Sequence, residues 1–191
     1  MTIYHFVIPA LWLLWLGYWI VAASGNKPVE RNESPTSRWG HLLPVMIGGL
    51  LMASPGLTGP LLERRFVPQT LAVFWIAAAM VAAGLGFAAW ARTTLGGNWS
   101  ATVTLKRQHE LIRSGPYRYV RHPIYTGLLL AILGSALALG VWRALLGFAV
   151  MTFGLVLKLR TEERFMIEQF GERYRRYRDE IPGLIPFWQK F

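Results

Sequence analysis

Charge-poor apolar runs constrain this chain more than any other feature. A helix that crosses the hydrocarbon core of a bilayer needs about 20 mostly apolar residues, and four or five stretches of the 191-residue sequence come close to that length with few or no charged side chains. They are Ile3 to Ala23, Trp39 to Leu57, Thr70 to Trp90, Pro123 to Leu139 and Val141 to Leu159. The first lacks the basic start and small-residue cleavage pattern of a secretory signal and reads as a retained span. The second holds Pro44 and Pro55, which predict a kinked helix ending near Ser54. Ala-rich and carrying Gly84 and Gly86, the third has the small residues that let neighbouring helices approach closely. Gly140 and its neighbours alone part the fourth from the fifth, so these two read as a helical hairpin. With 9 Trp, 10 Phe, 7 Tyr and only 16% charged residues, a domain of this size cannot hide its apolar surface in a water-soluble core. The expected fold is an all-α integral membrane protein: about five transmembrane helices with a C-terminal helical hairpin, a cytoplasmic loop and an amphipathic cytoplasmic tail helix. Residues 1–91 then form helices 1–3, and residues 92–191 form a second, chemistry-bearing region.

The net charge of +10 is sorted, not scattered. Seventeen of the 20 Lys and Arg residues fall in the 24–38 connection, the 92–122 loop and the tail, and only Arg64, Arg65 and Arg143 fall on the other side. Basic loops stay cytoplasmic, so the amino terminus is expected outside, with the loop and the carboxyl terminus meeting on one cytoplasmic face. This sorting gives the charge a role in topology and lipid contact, not in nucleic-acid binding. The absence of Cys excludes disulfides, thiolate metal sites and cysteine nucleophiles. No metal site is expected: His41 reads as an interface histidine and His5 as a helix-end one, neither with ligands at metal spacing.

The 92–122 loop is too long to be a mere connector. Trp99, Ala101, Val103 and Leu105 alternate with Ser100, Thr102, Thr104 and Lys106, the period of a short extended segment. Ser114, Gly115 and Pro116 signal a turn, and Asn98 to Ser100 matches a glycosylation acceptor that a cytoplasmic position makes meaningless. Pro123 suits a first helical turn and puts His122 at or near the cap, where helix-end donors can bind an anion. The plainer reading has Pro123 start the helix while Tyr125 and Arg121 anchor it at the interface. Farther on, Thr161 to Tyr177 reads as an amphipathic helix with Glu162 on its apolar side, where a carboxylate can hold a cationic or hydroxyl-bearing ligand. Its plainer reading is a surface pair with Lys158. Arg173, Arg175, Arg176 and Arg178 read as a tether to anionic lipid. Leu184 to Trp188 form a closing segment that can return to the membrane interface.

The run Ser114-Gly-Pro-Tyr-Arg-Tyr-Val-Arg-His-Pro-Ile-Tyr-Thr-Gly127, followed by Glu162-Glu163 and then Phe170-Gly-Glu-Arg-Tyr174, resembles the isoprenylcysteine carboxyl methyltransferase family and the related phospholipid N-methyltransferases. The resemblance covers about Leu95 to Phe187. It implies a membrane enzyme that uses S-adenosylmethionine and methylates a lipophilic small-molecule or lipidated acceptor, the carboxylate of an isoprenylated cysteine being one case. By motif position the cofactor contacts are His109, Leu111, Ile112, Tyr117, His122, Tyr125 and Glu162. The family's substrate-contacting arginine corresponds to Lys158, with Arg160 nearby; lysine keeps the charge but not the bidentate fork. Membrane sterol reductases, which use NADPH, resemble the same segment. They carry Asn where this chain has Ile124 and lack the Glu-Glu placement. A non-enzymatic membrane scaffold is the third reading, against which the convergence of polar residues counts.

Overall fold

A computed structural model describes residues 6–23, 29–99, 104–106 and 110–186. Six helices follow in order: α1 (Val7–Ala22), α2 (Pro35–Ala53), α3 (Leu71–Leu95), α4 (Pro123–Leu139), α5 (Trp142–Phe170) and α6 (Glu172–Glu180). Two short strands, β1 (Val29–Asn32) and β2 (Thr104–Lys106), pair antiparallel. The extended segment read from the alternation around 99–106 is thus present in its last three residues, and the expectation of helix alone is corrected by this one small ribbon.

Close backbone approach builds the bundle as two antiparallel pairs. Along α3 the buried positions Ala77, Val81, Gly84, Ala88 and Ala91 recur every three or four residues, one stripe of small side chains. Gly84 meets Gly127 of α4 across that stripe so closely that a Cβ on Gly84 would lie 2.7 Å from the Ala131 nitrogen. A Cβ on Gly127 would lie 2.7 Å from the nitrogen of Ala88. Gly86, also expected at a contact, has nothing near it. The α2–α5 pair repeats the device: a Cβ on Gly147 would lie 2.7 Å from the Gly48 carbonyl oxygen, and one on Gly154 as close to that of His41. In turn α1 lays Ile8, Leu11, Trp12 and Trp15 onto a core of Val81, Leu85 and Ala131.

Helix ends follow local chemistry. Ser34 and Thr70 cap α2 and α3 by accepting from the Ser37 and Val73 amides. Helix α2 contains Pro44 and is capped at Ser54, the end expected from the sequence, although it begins four residues before Trp39. Gly140 takes the left-handed conformation (φ 67°) that closes α4 and turns the chain into α5, so the hairpin forms as expected. At this end Arg143 pairs with Glu63 and donates to the Leu51 and Met52 carbonyls, the last acceptors of α2.

The tail differs from its sequence reading. Helix α5 does not stop at Leu159; it continues to Phe170, and a break at Gly171 (φ 54°) precedes the short α6. The change from apolar to charged residues near Lys158 marks where the surroundings change, not where the helix ends. Among the described residues two helices, Leu71–Asn98 with its terminal 3-10 turn and Trp142–Phe170, are long and apolar enough to cross a membrane, while the apolar α1 and α4 have 16 and 17 residues. Large apolar side chains stand outward, among them Leu13, Leu14, Ile20 and Val21 of α1, each at least 67% exposed. His41 is buried, its Nε2 3.0 Å from the Glu33 carboxylate.

Candidate active site

The site forms where the start of α4, the C-terminal half of α5, α6 and the 92–122 loop converge. Pro123 occupies the first helical position of α4 and His122 its cap, as the sequence indicated. The cap is strapped from behind by the end of the described chain. The Arg121 and His122 amides donate to the Pro182 and Gly183 carbonyls at 2.8 and 3.0 Å, and the Thr126 hydroxyl donates to the Leu184 carbonyl at 2.6 Å. The closing segment therefore folds onto α4 as far as it is described; Phe187 and Trp188 lie outside the described residues.

Two adjacent carboxylates take different surroundings. Glu163 Oε1 accepts from Arg121 Nε at 2.9 Å and Nη2 at 2.7 Å, and lies 3.1 Å from His122 Nε2. Arg121 is buried and also donates to the Arg178 and Ile181 carbonyls. Glu163 is thus the internal counterion that joins α4, α5 and the strap. Glu162, one residue earlier and rotated about 100° round the helix, turns to the cavity, accepts from the Tyr125 hydroxyl and lies 3.8 Å from His122 Nδ1. The His122 and Tyr125 rings stack at 5.9 Å, and Lys158 Nζ sits 5.7 Å from the Tyr125 ring centre.

Between these groups lies a cavity of about 350 Å³, within the range of small-molecule sites. Leu111, Ile112, Tyr117, His122, Tyr125, Lys158 and Glu162 all line it, so the structure brings together every expected site residue but two. His109 lies outside the described residues. Arg160 is exposed and is not among the lining residues; two positions beyond Lys158, it projects about 200° away round the helix. Tyr117 is buried, which together with the nearby Glu162 charge pushes its phenol up, so it is a neutral hydroxyl and aromatic face at any physiological pH. Behind it Tyr177 donates to the Tyr117 carbonyl at 2.7 Å, and burial pushes the Tyr177 phenol up to about 12 against the lowering effect of Arg121 and Arg113.

Sequence reasoning did not find the rest of the wall. Trp15 and Trp19 of α1 stack at 4.5 Å, and Trp19 meets Trp99 of the loop edge-to-face at 5.1 Å. Asn98, Glu110, Phe165 and Met166 also contribute. The spacing Trp12, Trp15, Trp19 marks one helix face, but nothing local says what that face meets. Asn98 is buried against the cavity, which removes it as a glycosylation acceptor.

The family model described as phospholipid methyltransferase matches residues 72–173, from the start of α3 past the Glu162-Glu163 pair. Protein-S-isoprenylcysteine O-methyltransferase of Schizosaccharomyces pombe is 35% identical over 94 residues, covering 48% of this chain and 40% of the relative. The Rattus norvegicus protein of the same name is 32% identical over 144 residues, covering 66% of this chain and 46% of the relative. Methanethiol S-methyltransferase 1 of Bradyrhizobium diazoefficiens is 36% identical over 74 residues, covering 39% of this chain and 25% of the relative. The chain spans about half the length, or less, of these curated relatives. Matched by the family model over more than half of its residues, with the His122, Tyr125 and Glu162 cluster inside the match, the chain belongs to the phospholipid methyltransferase family, in the company of the isoprenylcysteine carboxyl methyltransferases.

Proposed function

We propose that this protein is an integral-membrane, S-adenosylmethionine-dependent methyltransferase that acts on a lipophilic acceptor. The supporting observation is one cavity in which a carboxylate, two tyrosine faces and a lysine converge from elements distant in sequence. The lining suits the proposed cofactor in kind. Glu162 offers charge-assisted hydrogen bonding to an ammonium, Tyr117 and Tyr125 offer aromatic faces to a cationic sulfur, and Leu111 and Ile112 offer an apolar bed for adenine. The start of α4 offers helix-end donors to a carboxylate. When bound, S-adenosylmethionine supplies an activated methyl group.

The protein's share of the chemistry is to align and to exclude water. Holding nucleophile and methyl carbon in line supplies about 7 to 11 kcal/mol of the barrier. Lys158 orients an anionic acceptor oxygen, which is already a nucleophile, so no side chain has to take a proton. Arg160 has no role in this scheme. Trp15, Trp19, Trp99 and Phe165 close the apolar side, while Arg121 and Glu163 hold the cap of α4 against α5. The names of the relatives favour methyl transfer over the NADPH-dependent alternative; the acceptor we place first is the carboxylate of an isoprenylated cysteine, with a phospholipid amine second.

We further propose five membrane-crossing helices, α1 to α5, with the amino terminus outside and the site and carboxyl terminus on the cytoplasmic face. In this reading residues 1–91 hold the chain in lipid and residues 92–191 carry the chemistry, α1 lending its Trp wall; membrane lipid is the constant partner. Purified protein in detergent, given labelled S-adenosylmethionine and in turn N-acetyl-S-farnesylcysteine, phosphatidylethanolamine and methanethiol, tests the proposal. Label transfer to the farnesylcysteine supports it. Transfer only to methanethiol overturns the lipophilic acceptor, and transfer to none overturns the activity.

A further inference from the structure

A second cavity, of about 600 Å³, lies at the other end of the bundle, nearest the α2–α3 connection. Its body is largely apolar, with Ile8, Met52, Leu71, Phe74 and Leu139 among its walls; of its polar members Arg65, Gln69 and Thr70 are exposed, and Ser135 is half-buried. Nothing in the site described above uses it. Its placement relative to that site is the informative fact. Ile8 and Trp12 of α1 line this cavity, and Trp15 and Trp19 line the first. Positions 8, 12, 15 and 19 fall on one face of a helix. On α4, Tyr125 and Leu128 line the first cavity, and Ser135, Ala138 and Leu139 the second.

The two cavities therefore lie toward opposite ends of α1 and α4, whose side chains meet between them at Trp12 and Ser135. A partition of two rings separates them: Trp12 and Trp15 touch edge-to-face at 5.8 Å, and Trp12 Nε1 donates to Ser135 Oγ at 3.0 Å. From Tyr125 to Leu139 is 14 residues of helix, about 21 Å, the scale of an extended lipid tail. The Trp12–Ser135 bond spans partly buried groups and is a modest barrier, of the size a rotamer change can open.

We infer that the second cavity receives the far end of the acceptor's apolar tail, which runs between α1 and α4 past Trp12, so that this cavity and the Trp12–Ser135 partition set the chain length the enzyme prefers. The inference rests on the proposed methyl transfer to a lipophilic acceptor. A short tail ends in the first cavity, beside Leu128 and Leu155, and leaves the partition shut. A long tail displaces the Trp12 ring and buries its end among Ile8, Phe74 and Leu139.

The test compares methylation of N-acetyl-S-butylcysteine and N-acetyl-S-farnesylcysteine by wild type and by Ala138→Phe, which fills the second cavity from α4. Ala53→Phe is the backup variant, since Ala53 is exposed at the end of α2 and also lines the cavity. The expected result is a tenfold or greater fall in the farnesyl-to-butyl ratio of kcat/KM, carried by KM. An unchanged ratio in both variants overturns the inference while leaving methyl transfer standing. Failure of wild type to methylate either compound defeats the functional reading itself. A third outcome is that purified wild type retains stoichiometric phospholipid by mass spectrometry, Ala138→Phe loses it, and the ratio does not move. The cavity would then hold a structural lipid, and the inference would be wrong.

Discussion

Glu162 and Glu163 are neighbours in different surroundings, and that contrast yields the sharpest mutational prediction. Glu163→Gln removes the negative charge that faces Arg121 and His122 while keeping side-chain shape. The Arg121 side chain is 6% exposed and that of Glu163 15%, so the pair is effectively buried. Breaking a buried pair by removing one partner costs about 3 to 5 kcal/mol. The lower figure applies here, because Arg121 keeps its bonds to the Arg178 and Ile181 carbonyls and the glutamine carbonyl can still accept one hydrogen bond. About 3 kcal/mol corresponds to a fall of about 6 to 12 °C in melting temperature for a chain of this size. Glu162→Gln loses only its charge beside Tyr125 and a histidine nitrogen 3.8 Å away, and its carbonyl can still accept from the Tyr125 hydroxyl, so its melting temperature falls by less than half as much. It should instead weaken S-adenosylmethionine binding by about 10- to 150-fold, the equivalent of one charge-assisted hydrogen bond at about 1.5 to 3 kcal/mol. Intrinsic-fluorescence melting and equilibrium binding in one detergent, on both variants, read the contrast. If Glu162→Gln melts as low as Glu163→Gln, or if Glu163→Gln melts like wild type, the division between site carboxylate and internal counterion is wrong.

Other perturbations separate the remaining parts. Arg175→Ala removes the exposed pair with Glu172 and should leave the cofactor Kd within twofold, whatever it does to association with anionic vesicles. Gly127→Ala drives a methyl group into the α3 backbone and should destabilise by at least about 1 to 3 kcal/mol, whereas Gly86→Ala, with open space around it, should melt like wild type or slightly higher. Lys158→Ala should raise KM for an anionic acceptor at least tenfold with little change in cofactor Kd, and equal losses in the two would remove its acceptor role. Because the folded-state pKa of Tyr177 is raised from 10.0 to about 12, the folded protein holds that proton more tightly than the unfolded chain. Its contribution is complete below pH 10 and is lost as pH rises toward 12, so Tyr177→Phe should flatten the alkaline decline in melting temperature, and an unchanged slope would contradict this.

What could be read from the sequence was what local chemistry writes there. The Pro123 start, the His122 cap, the Gly140 turn and the end of α2 at Ser54 each depend on residues within a few positions of the feature, and each is found. The boundary at Leu159 misled because hydropathy reports surroundings; Glu162 stays helical within α5, and the break waits for Gly171. The Arg121–Glu163 and His41–Glu33 pairs were not legible because the partners lie 42 and 8 residues apart and become partners only through folding. The aromatic wall from α1 was hidden for the same reason: Trp15 and Trp19 fit any lipid-facing stripe, and only the packing of α1 on α3 and α4 turns them toward the cavity.

Binding decides the central claim most directly. Titrating labelled S-adenosylmethionine and NADPH separately into the purified protein in detergent, for wild type and Glu162→Gln, should give saturable S-adenosylmethionine binding by wild type, strong loss in the variant, and no saturable NADPH binding. Saturable NADPH binding with none of S-adenosylmethionine would contradict the account.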